Sequence, residues 1–205
     1  MKKKIIVIFF VFLLIGCTNN NINTMSLEDI VKESISTKSS LYNTNSKGYK
    51  YYLPTEFSVA REDDFVQELI SHNTKYYLNI DIVSYYYKTS MKTDHDFDDY
   101  EYFTFENDGN KGYLKIRKNN EYFFVELCYN YAIIEVEVKE NELRYAISRG
   151  ISILKSIRYN DLVIEKYIND NDLESSETVY KIPEPKNKDE SRNILQYIEE
   201  YEEGN

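Results

Sequence analysis

Cysteine and histidine are the side chains best suited to nucleophilic and metal chemistry, and this chain of 205 residues has two of each: Cys17, Cys128, His72 and His95. A Cys–His nucleophile would need one histidine to meet Cys128 in space and take its proton. Cys128, however, lies in Tyr122 to Tyr129, a strand-like run that makes it a small buried hydrophobe. No glycine-rich phosphate loop, Gly-x-Ser-x-Gly elbow, His-Glu-x-x-His or Cys-x-x-Cys pair occurs. Asp94, Asp96 and Asp98 imitate the first, third and fifth positions of a calcium-binding loop. Asp99 then takes the sixth position, where a glycine must turn the chain, and Phe105 the twelfth, where a bidentate glutamate belongs. The stretch reads as a solvated acidic loop. Neither Ca²⁺ nor another cofactor is expected, and no acid, base and nucleophile set points to an enzyme.

The chemistry that the sequence does favour is modification of Cys17. Lys2, Lys3 and Lys4 precede an uninterrupted apolar run, Ile5 to Ile15. That run is shorter than the about 20 residues a spanning helix needs, and it has the shape of a secretory signal. It ends in Leu14-Ile15-Gly16-Cys17, which resembles the lipobox of bacterial prolipoproteins. The resemblance implies diacylglycerol transfer to the Cys17 thiol, cleavage after Gly16 and acylation of the new amine. Two acyl chains hold a protein on a membrane where one gives only reversible attachment. The expected location is therefore the extracytoplasmic side of a bacterial cell membrane. Removing residues 1–16 leaves 189 residues and, with three lysines gone, changes the formal charge from −10 to −13. A charge of this sign disfavours nucleic acid as a partner. It should also hold the body off an anionic leaflet.

The elements that follow the anchor are read from periodicity. A polar tether, residues 17–25, leads to a segment, residues 26–47, with an amphipathic helix and a linker. Ser26-x-x-Asp29 approximates a capping box, and Leu27, Ile30, Val31 and Ile35 recur at helical spacing. A globular domain is expected over residues 48–160. Tyr49 to Leu53 and Phe57 to Glu62 read as strands. Val66 to Ser71 fits helix or strand, and a turn at Asn73-Thr74 favours a hairpin with one long strand, Tyr76 to Tyr87. Tyr102 to Glu106, Tyr113 to Lys118, Tyr122 to Tyr129 and Ala132 to Val138 are separated by Asn-rich turns so short that the strands must pair antiparallel. Leu143, Ala146, Ile147, Gly150, Ile151 and Leu154 form one stripe of a helix over Asn141 to Ile157. The expected class is α+β, an antiparallel meander packed with helices. Residues 161–205, with 13 acids and 5 bases, form an acidic tail with a docked piece near Leu162 to Ile168 and a terminal helix over Asp189 to Glu202.

Tyr51-Tyr52-Leu53-Pro54, the strands up to Tyr87, the meander and a helix ending Ile153-Leu154-Lys155-Ser156-Ile157 together resemble a PsbP-like α/β/α sandwich, from Tyr49 to about Asn160. The resemblance implies an accessory or scaffold lipoprotein, not an enzyme. The expected function is accordingly non-enzymatic binding of a protein or envelope component. Candidate contacts are Tyr85, Tyr86 and Tyr87, whose rings combine apolar area with a polar tip, and the terminal-helix face Ile194, Leu195, Ile198 and Tyr201. The alternative is a small-ligand receptor with a pocket between sheet and helix, rimmed by Tyr85, Tyr87 and Asp81.

Overall fold

The structure, a computed structural model, describes residues 22–38, 41–89 and 99–171, all within the unit that ends at Glu174. After a 3-10 turn at Ile22–Thr24, Ser26 caps helix α1 (Leu27–Ser36). The Ser26 hydroxyl accepts from the Asp29 N–H at 3.1 Å and donates to the Asp29 carboxylate at 2.7 Å, so the short acid completes the cap through the serine side chain. Ile30, Val31 and Ile35 are buried as their spacing predicts.

The polar stretch read as a linker contains a strand. β1 (Thr44–Ser46) pairs antiparallel with β2 (Tyr49–Tyr51). Asn43 ties this hairpin down: its Nδ2 donates to Leu53 O at 2.8 Å and its Oδ1 accepts from the Leu53 N–H at 2.7 Å. β3 (Ser58–Asp63), β4 (Val66–Ser71) and β5 (Thr74–Ile80) then form a meander. The β4–β5 turn sits on His72 and Asn73, one residue earlier than expected. Their φ angles of 48° and 65° are the left-handed pair that suits a two-residue hairpin.

The largest departure from the expected elements comes next. The chain leaves the sheet at Ile80 and forms a short helix, α2 (Ile82–Tyr87), where one strand through Tyr87 was expected. A second meander follows: β6 (Glu101–Asn107), β7 (Asn110–Asn119), β8 (Tyr122–Tyr129) and β9 (Ala132–Lys139). β9 pairs with β5, joining the meanders into a seven-stranded antiparallel sheet of order β3-β4-β5-β9-β8-β7-β6. The last rung between them is Ile80↔Ala132. Beyond it β9 gives way to the Asn130-Tyr131 turn, so residues after Ile80 have no ladder partner there. Asp81 ends the strand, its N–H bonded to Tyr131 O, and starts the helix, its carboxylate accepting from the Ser84 N–H at 2.8 Å. A local cap outweighs the strand propensity of Ile82, Val83 and three tyrosines.

Helix α3 (Glu140–Ser156) is followed by β10 (Arg158–Tyr159), which pairs with β2 to complete a three-stranded sheet, and by α4 (Asp161–Asp170), capped by Asn160. The fold is thus α+β. Strand alternation gives the large sheet two faces. Leu69, Leu78, Ile134, Val125, Leu127 and Leu114 lie on one face and are fully buried with the α3 stripe and with α1 behind it. Gly150 lets α3 approach closely, since a Cβ there would stand 2.4 Å from Leu127 Cδ1. Ile164 and Ile168 dock α4, as expected for the piece near Leu162 to Ile168.

Candidate functional site

Cys17, the terminal-helix residues Ile194, Leu195, Ile198 and Tyr201, and the Asp94 to Asp98 cluster lie outside the described residues. The tyrosine triplet is described, on α2, and its members differ. Tyr85 is committed to the domain: its ring stacks on Tyr159 at 3.8 Å between centroids, and its hydroxyl donates to Asp161 at 2.6 Å. Burial first, and Asp161 second, push its phenol up to about 12. Tyr86 packs partly against the core and meets Tyr87 edge-on, while Tyr87 is 40% exposed. Asp81 is occupied as the helix cap.

These tyrosines sit at one end of the large sheet. Tyr85 meets Tyr131 edge-on just beyond the end of β8. Asn23, close to the N-terminal boundary of the described chain, sits at the other end. It joins Lys118, Asn120, Phe123 and Lys139 in lining a cavity of about 690 Å³ where β8 begins and β9 ends. The eight residues of β8 separate the two ends by about 25 Å. A second, smaller hollow of about 220 Å³ lies between α1 and α3 and includes Met25, Ser148 and Lys155. The Lys155 ammonium donates there to Ser34 O and, at 2.5 Å, to Thr37 O, terminating α1. Neither hollow is rimmed by Tyr85, Tyr87 or Asp81.

The second face of the sheet carries a polar row that the sequence reading missed. The ladder sets Tyr77 opposite Glu135, Glu135 opposite Glu126, Glu126 opposite Lys115 and Lys115 opposite Tyr102. Tyr113, one rung away, donates its hydroxyl to Glu126. Desolvation first, and the neighbouring Glu126 second, push the Glu135 carboxyl up to about 8, against the pull of Arg117. A carboxyl that faces a like charge across a rung of a partly buried face is harder to ionise. The signal was present in the sequence, because Glu126 and Glu135 are equidistant from the Asn130-Tyr131 turn.

Cys128 is buried on this face beside Tyr113, and burial raises its thiol far above the ordinary range. A thiol held protonated has the character of packing, not of a nucleophile. His72 bonds Ser71 and meets the Tyr145 ring, and His95 lies outside the described residues. No group of three or more His, Cys, Asp or Glu able to hold a metal occurs among the described residues. No described helix is long and apolar enough to cross a membrane. No protein-family model matches the chain, and no curated protein matches it in sequence.

Proposed function

We propose that this chain is a bacterial lipoprotein, held on the extracytoplasmic side of the cell membrane by a diacylglyceryl group on Cys17, whose domain binds a protein or envelope partner without catalysing a reaction. The observation that carries this reading is polar: the N-terminal segment at Asn23 and the exposed Tyr87 lie at opposite ends of the seven-stranded sheet. Five residues separate Cys17 from Asn23, a reach of at most about 20 Å. A lipid on Cys17 therefore leaves the Tyr86-Tyr87 end directed away from the bilayer, where a partner has access to it. Tyr86 and Tyr87 are the contacts, and Tyr85, on the same helix, is held by Tyr159 and Asp161.

The test is photo-cross-linking in native membranes, with a photoreactive residue at position 87 and, for comparison, at Glu121 beside the cavity. A reproducible protein joined through position 87, absent from the Glu121 variant and lost with Cys17→Ser, is the expected result. Cross-links that form equally from both positions would overturn it.

A further inference from the structure

We propose that the cavity where β8 begins binds the phosphoglycerol head group of an anionic phospholipid, so that the domain leans on the membrane at the pole where it is tethered. Three cations line it: Lys118, Lys139 and Arg144. None of them forms an ion pair with a described carboxylate. Aromatic rings hold the two ammonium groups in place, Lys118 at 5.1 Å from the Phe123 centroid and Lys139 at 5.8 Å from that of Tyr122. Arg144 is fixed through its Nε, which donates to Met25 O at 3.2 Å, and so ties the cavity wall to the segment leading from Cys17.

The remaining lining selects among anions. Glu121 and Glu140 reduce the local charge to +1, which matches a phosphodiester monoanion better than a phosphate dianion. Those two carboxylates accept from hydroxyls, and Asn23, Asn120 and Asn141 supply both donors and acceptors, the complement of a glycerol carrying free hydroxyl groups. Although the whole mature chain is strongly negative, the lining of this cavity is not, and the lining is what an anionic head group meets within a Debye length of roughly 8 Å. The lipid source follows from reach, because Asn23 lines the cavity within about 20 Å of chain from Cys17. The inference rests on the lipid-anchor reading.

Lipidated protein reconstituted into vesicles tests it by amine footprinting, with Lys166 on α4 as the internal reference. In vesicles of equal phosphatidylglycerol and phosphatidylcholine, Lys118 and Lys139 should be labelled several-fold more slowly than in phosphatidylcholine alone, and high salt should abolish the difference. Lys118→Gln with Lys139 intact should weaken protection of Lys139. Protection in phosphatidylcholine vesicles on adding soluble glycerophosphoglycerol, a phosphodiester monoanion, equal to that from phosphatidylglycerol, would overturn the lipid source. A lipidated chain with no protection in either vesicle would overturn the site and leave the anchor standing. A chain extracted without lipid on Cys17 would overturn the anchor and this inference with it.

Discussion

Glu126 and Glu135 stand directly opposite one another on β8 and β9, and the sheet holds the pair on a partly buried face where Tyr113 donates to Glu126 and burial, with Glu126 beside it, pushes the Glu135 carboxyl up to about 8. Like charges at such positions destabilise a sheet, and protonation relieves the repulsion.

A pH dependence of stability follows. Folded Glu135 keeps its proton up to about pH 8, whereas the ordinary glutamate value is 4.5. Between these values the unfolded chain binds fewer protons, so this residue makes stability fall with rising pH, by up to about 1.4 kcal/mol per unit, and the loss is complete above about 8. Glu135→Gln removes that slope. Urea titrations of both proteins across this window should show the variant gaining on the native chain as pH rises. Parallel pH profiles would contradict the pairing.

The buried contact between Tyr51 and Gln67 gives a second expectation. Gln67 is fully buried, its Oε1 accepts from the Tyr51 hydroxyl, and its Nε2 has no partner among the described residues. Tyr51→Phe should cost about 1–3 kcal/mol, because a buried amide oxygen loses its donor. Adding Gln67→Leu should recover much of that loss, since removing both partners leaves nothing unsatisfied. Chemical denaturation of the singles and the double gives the coupling, and additive losses would show that the bond contributes nothing.

Two glycines at close approaches should respond differently to alanine. At Gly112 a Cβ would meet the Cys128 carbonyl oxygen at 2.4 Å and the Phe105 ring at 2.7 Å, so backbone must move, and Gly112→Ala should cost about 2 kcal/mol or more. At Gly150 the obstacle is the far end of the Leu127 side chain, which can turn aside. There the helical gain of about 0.8–1 kcal/mol offsets the strain, leaving a small net change. Thermal unfolding of the two variants should rank them in that order.

Lys155 fastens α1 to α3 by donating to Ser34 O and Thr37 O. Lys155→Met keeps the apolar stem and removes the donor. It should cost about 1 kcal/mol and raise amide exchange in the last turn of α1 more than in α3. Uniform exchange across both helices would show that the lysine stabilises the fold as a whole and not this end.

Much of this architecture was readable because one face of each element is apolar. The α3 stripe from Leu143 to Leu154 gives the helix directly, and the short turns on either side of Tyr122 to Tyr129 give its antiparallel pairing. β1 was missed because Thr44, Asn45 and Ser46 have no apolar signature and are placed by Asn43 and by pairing with β2. The helix at Ile82–Tyr87 was missed because its start depends on where β9 ends, a long-range fact, and its residue types favour strand. The candidate sites were less legible still. Lys118, Lys139 and Arg144 come from three elements and converge only at the end of the sheet. The proposed lipid attachment at Cys17 differs in kind, since it rests on the linear motif Leu14-Ile15-Gly16-Cys17, whose signal is local.

The central claim is therefore tested most directly at Cys17, by intact-mass measurement of the protein extracted from native membranes. The account predicts a chain that lacks residues 1–16 and carries a diacylglyceryl thioether on Cys17. A membrane-bound chain that retains Met1, or one whose Cys17 thiol is free, would contradict it.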